Sequence, residues 1–171
     1  MNQKLIILGA GQYGFVAKEI AEAMGCFEAI DFLDDVCPKA IDRLANYRAY
    51  VDHYSYAVVA IGDAETRLKH IQGLEAAGFR IATLISPNAY VAPSAEIKRG
   101  VIAEPMTVVN ANARVGVGVI LCAGAIVNHN ATVGDGCVLQ CGSVVAARAQ
   151  MEAKRTLDYH EVLREQTKQP K

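Results

Sequence analysis

The chain has 171 residues, of which 52% are apolar and 20% charged, with a mean hydropathy of +0.17. This length suits one ordinary domain or two small ones, and the composition is that of a folded protein. Seventeen basic and eighteen acidic residues give a formal charge of −1, which provides no general attraction for nucleic acid or an anionic membrane. No apolar stretch reaches the roughly 18 residues of a membrane span. We therefore expect a cytoplasmic protein that neither binds nucleic acid nor crosses a membrane.

Residues 1–84 alternate short apolar runs with helix-like stretches, beginning with Leu5–Leu8, Gly11–Met24 and Ala29–Leu33. This βαβ rhythm predicts an α/β domain with a small parallel sheet. Residues 1–84 contain 11 acidic residues, whereas residues 85–150 contain three. The change in composition predicts a domain boundary after residue 84.

Residues 85–151 repeat with a period of six. Twelve positions six apart are all apolar, and the positions four residues after the first eleven hold nothing larger than valine. The apolar row is Ile85, Val91, Ile97, Ala103, Val109, Val115, Leu121, Val127, Val133, Leu139, Val145 and Met151. This period is that of the hexapeptide-repeat parallel β-helix, with both rows pointing inward.

Three hexapeptides make one triangular coil, so residues 18 apart lie one above another at the strand spacing of about 4.8 Å. Asn110 should then form an amide ladder with Asn128, and Ala147 should lie above His129. After Met151 the repeat weakens. Residues 152–171 are predicted to form a short helix or a tail that caps the coil.

The segment Gly9–Gly14 reads GAGQYG and matches GxGxxG between a predicted strand and a predicted helix. In this context glycines let backbone N–H groups approach a pyrophosphate. Asp34 and Asp35 end the second strand, where a carboxylate would bind a sugar hydroxyl, and the third strand runs into Ile61–Asp63. A nucleotide ligand is favoured. The alternatives are glycines that serve only helix packing, and an NAD site, for which the second mononucleotide half is lacking.

His129 is the histidine that lies within the repeat. It follows Val127 by two positions, so its side chain points outward, where it could meet a neighbouring subunit as a general base. An ordinary surface histidine is the alternative. No metal site is predicted, because one imidazole is not a ligand set. The five cysteines lack CxxC spacing and are interpreted as packing residues.

Taken together, these motifs resemble one bacterial family. The segments KLIILGAGQYG, FLDD, AIGD, ISPNAYVAPSAEI and GAIVNHNATVGDG are similar to those of the sugar acyltransferases that N-acetylate nucleotide-linked 4-amino sugars or O-acetylate sialic acids. The match covers residues 4 to 149. The resemblance implies a Rossmann-like N-terminal domain, a left-handed β-helix and a homotrimer. It also implies a nucleotide-linked amino sugar as acceptor and acetyl-CoA as donor, bound between adjacent β-helices.

The resemblance further implies roles for individual residues. His129 would be the general base, Asn130 its orienting neighbour, and the Ala147 N–H the donor to the thioester oxygen. Gly142 and Ala147 would contact acetyl-CoA. The residues implied for the nucleotide site are Gly9, Gly11, Gly14, Asp34, Asp35, Gly62 and Asp63.

This sequence also departs from the family pattern. Asn130 stands where relatives usually carry a carboxylate, Val138 where some carry a second histidine, and Ala147 where a glycine is usual. Gln12-Tyr13-Gly14 replaces Gly-His-Gly, and relatives continue for further coils. The expected function is N-acetylation of a nucleotide-linked amino sugar in bacterial surface glycan biosynthesis. The alternatives are a sugar O-acetyltransferase and a non-catalytic sugar-nucleotide-binding or assembly protein.

Overall fold

The computed structural model describes residues 3–165, which form an N-terminal α/β domain and a β-helix. The elements of the N-terminal domain are β1 (Lys4–Leu8), α1 (Gln12–Met24), β2 (Ala29–Leu33), a 3-10 helix (Leu44–Tyr50), β3 (Tyr56–Val59), α2 (Ala64–Ala77) and β4 (Arg80–Ile81). Its sheet has the strand order β2-β1-β3-β4, with all pairs parallel. The predicted small parallel sheet is therefore confirmed. No helix in the described part of the chain is long and apolar enough to cross a membrane.

Strand β1 is buried on both of its faces. Leu5 and Ile7 pack with residues of α1, whereas Ile6 and Leu8 pack with residues of α2. Burial on both sides explains why this strand reads as a continuous apolar run. Strands β2 and β3 lie on opposite sides of β1, so the strand order reverses its direction at β1. In open parallel sheets the crevice lies at such a switch point, which here is at the carboxyl ends of β1 and β3.

The β-helix consists of two-residue strands arranged in three parallel sheets, which we call faces 1, 2 and 3. Face 1 contains β5 (Leu84–Ile85), β8 (Ile102–Ala103), β11 (Ile120–Leu121), β14 (Val138–Leu139) and β17 (Thr156–Leu157). Face 2 contains β6 (Tyr90–Val91), β9 (Val108–Val109), β12 (Ile126–Val127), β15 (Val144–Val145) and β18 (Val162–Leu163). Face 3 contains β7 (Glu96–Ile97), β10 (Arg114–Val115), β13 (Thr132–Val133) and β16 (Gln150–Met151).

Each strand pairs with the strand one coil later, as in Val127 with Val145, so the 18-residue coil is confirmed. The apolar row points inward and is almost fully buried from Ala103 to Leu157. The small row beside it is buried from Val101 to Ala149. The β-helix is left-handed, as the resemblance implies.

The corners of the triangle are made by residues with positive φ, one in every six. Their φ angles lie between 56° and 73°. These residues are Gly100, Met106, Asn112, Gly118, Gly124, Asn130, Gly136, Gly142, Arg148, Lys154 and His160. Gly142 lies on corner 1–2, between faces 1 and 2. Asn130 lies on corner 2–3, and Gly118 and Gly136 lie on corner 3–1.

The prediction that the repeat ends near Met151 and gives way to a helix or tail is wrong for the described part of residues 152–171. Strands β17 and β18 pair with β14 and β15 and continue the coil. Leu157 and Leu163 extend the apolar row, but Arg155 and Glu161 break the small row and pair with each other at 3.5 Å. Charged side chains fit there because no described coil covers them. Residues 166–171 lie outside the described residues.

The N-terminal domain packs on face 1. Leu84 and Ile102 point out of the β-helix and join the core formed with α1. The corner residues Gly100 and Gly118 lie against Ile71 of α2. Face 1 lies between corners 3–1 and 1–2, so corner 2–3 is on the opposite side of the prism.

Candidate active site

Two glycines of the crevice are explained by packing. Gly9 has a φ of 100°, and a Cβ there would lie 3.0 Å from the Ala60 carbonyl oxygen. A Cβ on Gly14 would lie 2.2 Å from the Gly9 carbonyl oxygen, because α1 passes directly against the turn. The packing alternative therefore accounts for these two positions without a ligand.

Gly11 and Gly62 have no such explanation. Neither has a positive φ, and a Cβ on either would meet no atom within 4 Å. Gly11 is the N-cap of α1, which has no side-chain cap and no acidic residue in its first turn. The N–H groups of this turn are therefore open to an anion, and Gly62 leaves space at the neighbouring strand end.

The carboxylate of Asp34 accepts hydrogen bonds from the backbone of the crevice. Its Oδ2 accepts a hydrogen bond from the Ala10 N–H at 2.8 Å, and its Oδ1 accepts from the N–H groups of Val36 and Cys37 at 2.9 and 2.8 Å. These bonds, that from Ala10 above all, hold the pKa of Asp34 below its usual value. Asp34 thus fixes the glycine turn, and its contact with a sugar hydroxyl stays a prediction.

The other two predicted carboxylates also touch the backbone. The Asp35 carboxylate is exposed and accepts from the Leu44 N–H at 3.3 Å. Asp63 is the N-cap of α2 and accepts from the Thr66 N–H at 2.8 Å. The hydrogen bond from Thr66 lowers the pKa of Asp63. Both residues lie at the crevice, but their roles toward a ligand stay predictions.

His129 lies exposed on corner 2–3. The backbone N–H of His129 donates to Oδ1 of Asn128 at 2.7 Å, and the same oxygen accepts from Nδ2 of Asn110 at 3.3 Å. The predicted Asn110–Asn128 ladder is confirmed, and it fixes the backbone that carries the imidazole. Asn128 is a further residue of this corner, and it is not among the predicted site residues.

Asn130 contacts the imidazole directly, with Nδ2 at 3.1 Å from Nδ1 of His129. In this orientation the amide donates and Nδ1 accepts, so the imidazole proton is on Nε2. If the Asn130 amide rotates by 180°, its Oδ1 lies beside Nδ1 of His129. The oxygen then accepts a hydrogen bond from Nδ1–H, and Nε2 is free to take a proton. A carboxylate at this position would allow only the second arrangement.

Ala147 lies one coil above His129, as predicted. The next residue, Arg148, donates its N–H to the His129 carbonyl oxygen at 3.2 Å. Within residues 3–165 the Ala147 N–H has no hydrogen-bond partner. A free donor thus lies over the imidazole-bearing residue, as an oxyanion site requires. That role stays a prediction.

Gly142 does not share a corner with Ala147. It lies on corner 1–2, where a Cβ would come 2.5 Å from Nδ1 of His160 in the coil above. Its positive φ and this contact explain the glycine by packing. One chain therefore does not bring the two predicted acetyl-CoA contacts together.

The Arg67 side chain and the Tyr13 hydroxyl are buried polar groups that are not among the predicted site residues. Arg67 of α2 is fully buried and donates to backbone carbonyl groups of both domains. The Tyr13 hydroxyl is buried without a partner in the described chain, and burial, with Glu104 and Cys122 nearby, raises its pKa. The sequence gives no signal for Arg67, because its partners are carbonyl groups. For Tyr13 there is a signal in the sequence, because this tyrosine replaces the histidine of the Gly-His-Gly segment of relatives.

The predicted packing role of the repeat cysteines fits their surroundings. Cys137 belongs to the buried small row. Burial, followed by the nearby Glu104, raises the pKa of Cys122 to about 12. A thiol so reluctant to ionise is a poor nucleophile at neutral pH.

A cavity of about 250 Å³ opens between α1 and the edge strand β2. Phe15 and Phe32 line it, with the ammonium groups of Lys39 and Lys18 at 5.0 and 5.6 Å from their ring centroids. None of the predicted nucleotide-binding residues lines this cavity. The predicted site is instead the open crevice at the strand ends.

Comparison with known proteins gives the following relations. Residues 4–74 match the family described as PglD N-terminal domain. The acetyltransferase domain of PglB from Neisseria gonorrhoeae FA1090, in complex with acetyl coenzyme A, is 27% identical with a TM-score of 0.92, over 97% of this chain and 84% of that chain.

Two more distant structures share the fold. A histidine-to-asparagine variant of perosamine N-acetyltransferase from Caulobacter crescentus, in complex with CoA and GDP-perosamine, is 20% identical with a TM-score of 0.70, over 93% of this chain and 90% of that chain. WeeI from Acinetobacter baumannii AYE is 14% identical with a TM-score of 0.72, over 95% and 94%. The predicted resemblance is confirmed: residues 4–74 match the model of the PglD N-terminal domain, and nearly the whole chain has the fold of the acetyltransferase domain of PglB.

Proposed function

We propose that the chain is an acetyl-CoA-dependent N-acetyltransferase that acts on a nucleotide-linked amino sugar, in the cytoplasm, during bacterial surface glycan biosynthesis. The observation that carries this proposal is the similarity, over nearly the whole chain, to an acetyltransferase domain crystallised with acetyl-CoA. The open helix N-terminus at Gly11 and the space at Gly62 suit the diphosphate of the acceptor.

In the proposed reaction, the sugar amine attacks the thioester carbonyl carbon while Nε2 of His129 takes the amine proton. Asn130 accepts the Nδ1–H through Oδ1, which sets the required tautomer. The Ala147 N–H donates to the oxyanion that forms. When the C–S bond breaks, the CoA thiolate leaves and takes the proton from the imidazolium, which gives the acetamido sugar and free CoA.

The active form is proposed to be a homotrimer. The crevice lies on the face 1 side and His129 on the opposite corner, so one chain cannot carry an acceptor from one to the other. A second copy must supply the other half of the site. Gly142 and Ala147 lie on the two corners that flank face 2, so contact between copies at face 2 would place one chain's Gly142 near the next chain's Ala147.

The outward side chains support face 2 as the contact between copies. The N-terminal domain packs on face 1 at Leu84 and Ile102, and face 3 presents polar side chains such as Arg114 and Thr132. The outward residues of face 2 are Tyr90, Val108, Ile126, Val144 and Val162. Tyr90 is 55% and Val162 45% exposed. A continuous apolar ladder of this kind is typical of an interface between copies.

The test is an assay of thiol release from acetyl-CoA with a panel of UDP- and GDP-linked 4-amino sugars. We expect an N-acetylated product with the unmodified protein and none with His129→Ala, which leaves no cavity because the side chain is exposed. His53→Ala, at another exposed histidine, is the matched control and should keep full activity. Turnover by His129→Ala would overturn the base assignment, and inactivity of the unmodified protein across the panel would overturn the function.

A second candidate function is binding of the sugar nucleotide without catalysis. The observation in its favour is the uncharged Asn130, whose Nδ2 faces Nδ1 of His129. This function predicts calorimetric binding of a nucleotide sugar with no acetyl transfer at any pH.

A further inference from the structure

Arg67 lies in the first turns of α2 and is fully buried at the contact between the two domains. Burial lowers the pKa of its guanidinium, and the ionisable groups facing it are Tyr13, Asp63 and Cys137. No carboxylate in the described chain forms a hydrogen bond or ion pair with it. A buried cation whose hydrogen-bond acceptors are all neutral is costly unless its N–H donors find partners.

Four of the five N–H donors of Arg67 are satisfied by carbonyl groups, which lie in two places. Nε donates to the Gly118 carbonyl oxygen, and one terminal nitrogen donates to that of Gly136, both at 2.7 Å. The other terminal nitrogen donates to the carbonyl oxygens of Ile61 and Gly62, also at 2.7 Å. Gly118 and Gly136 occupy corner 3–1 in successive coils, whereas Ile61 and Gly62 form the turn after β3.

We infer that Arg67 is a positioning residue that sets the Ile61–Gly62 turn of the crevice at a fixed place relative to the β-helix. The guanidinium is rigid and planar, so the positions of its nitrogen atoms are fixed relative to one another. Because Nε and one terminal nitrogen bind the corner, the position of the other terminal nitrogen, which binds the Ile61–Gly62 turn, is fixed as well. Lysine cannot replace it, because an ammonium group is a single point on a flexible stem. The inference rests on the proposed function, in which Gly62 leaves space for the acceptor's diphosphate.

Two surface ion pairs join the same helix to the same corner and provide a contrast. Arg99 pairs with the half-buried Glu75, and Lys154 pairs with Glu65, where Arg99, Lys154 and Glu65 are exposed. These pairs can hold α2 against corner 3–1, but neither touches the Ile61–Gly62 turn. A generic docking effect and a specific effect on the turn are therefore separable by mutation.

The experiment compares Arg67→Lys and Arg67→Met with Arg99→Met as the matched control. Hydrogen exchange of the segment 60–67 reports on the turn without any ligand, and calorimetry with UDP and GDP reports on the crevice. We expect about tenfold faster exchange in both Arg67 variants, and nucleotide binding that is about 10- to 100-fold weaker, since misplacing a contact group by about 1 Å costs this much. The Michaelis constant for acetyl-CoA should not change. Arg99→Met should match the unmodified protein in all three measurements.

Unchanged exchange in Arg67→Lys, or an equal effect in Arg99→Met, would overturn the inference. The lysine variant decides the matter even where Arg67→Met does not fold. Failure of the unmodified protein to bind either nucleotide would instead count against the proposed function, while the exchange measurement still tests Arg67.

Discussion

The side chain of Asn130 decides which nitrogen of His129 carries the proton. Its φ of 58° is the corner conformation, which asparagine tolerates better than most residues with a side chain. Asparagine therefore fits the corner and still reaches the imidazole. Unlike a carboxylate, however, its amide can donate as well as accept, so only one of its two orientations leaves Nε2 free as a base.

Asn130→Asp should raise the rate of transfer by about tenfold, because a carboxylate can only accept from Nδ1 and it stabilises the imidazolium. The acid limb of the pH–rate profile should move to higher pH for the second reason. The measurement is kcat/KM against pH. Asn112→Asp, with the same backbone conformation one coil below and no imidazole beside it, is the control. An unchanged or lower rate in Asn130→Asp would contradict the proposed tautomer.

Asp34→Asn should destabilise the protein at neutral pH by about 1 kcal/mol, after allowance for solvent screening, because charge-assisted hydrogen bonds to three N–H groups are weakened. The folded-state pKa of Asp34 is lowered from 3.8, so its contribution is present above that pH and disappears as the pH falls through the folded-state value. Urea denaturation at pH 7 and near pH 3 should show the difference shrinking. Asp35→Asn is the control, and its free energy of unfolding should be close to that of the unmodified protein. If Asp34→Asn stays equally destabilised at the lower pH, the charge of Asp34 is not the cause of its contribution.

The coil of the β-helix depends on a strict division between inward and outward side chains. In strand β12, Val127 is fully buried whereas Ile126 points outward on face 2. Two adjacent residues of one strand thus have different roles: Val127 supports the fold, and Ile126 is proposed to support contact between copies.

Val127→Asp should prevent cooperative folding of the β-helix, because an unpaired carboxylate in the inward row loses its hydration, at a cost of several kcal/mol, about the size of the largest single-mutation effects. Thermal unfolding followed by circular dichroism measures this. Thr132→Asp, at an outward position of face 3, should unfold like the unmodified protein. A stable Val127→Asp variant would mean that water reaches the interior of the coil and hydrates the carboxylate.

Periodicity predicted the coil, its 18-residue register and the stacking of Ala147 on His129, because a regular backbone repeats the same local rule. It failed after Met151, where Arg155 and Glu161 hid the apolar steps to Leu157 and Leu163. It also gave no hint of Arg67, whose partners are carbonyl groups of residues far away in the chain. Glycine spacing alone could not separate Gly9 and Gly14, which pack, from Gly11 and Gly62, which leave open space.

The protein as an assembly is governed by what each face of the prism meets. The N-terminal domain packs on face 1, face 3 presents polar side chains, and the apolar ladder of face 2 is proposed to meet another copy. Corner 2–3, with His129, borders this ladder. Loss of the contact at face 2 should therefore remove catalysis without disturbing either domain.

Ile126→Asp should convert the proposed trimer to a monomer and abolish transfer, because three buried copies of the new charge would meet little compensation. Binding of UDP or GDP should stay as in the unmodified protein, since the crevice is on the other side of the prism. Sedimentation equilibrium at micromolar concentration measures the change, and Thr132→Asp is again the control. A fully active monomer would contradict the shared active site.

The corner residues spaced by six also constrain how the gene can change in length. Inserting or deleting six residues before His129 would keep every inward row matched, yet it would turn the histidine to the next side of the prism. Only changes of 18 return it to corner 2–3, and each of these moves it by about 4.8 Å along the axis relative to the N-terminal domain. The number of residues between the two domains' contact and His129 therefore encodes both the side and the height of the imidazole, so duplication of a coil would preserve the fold and lose the reaction.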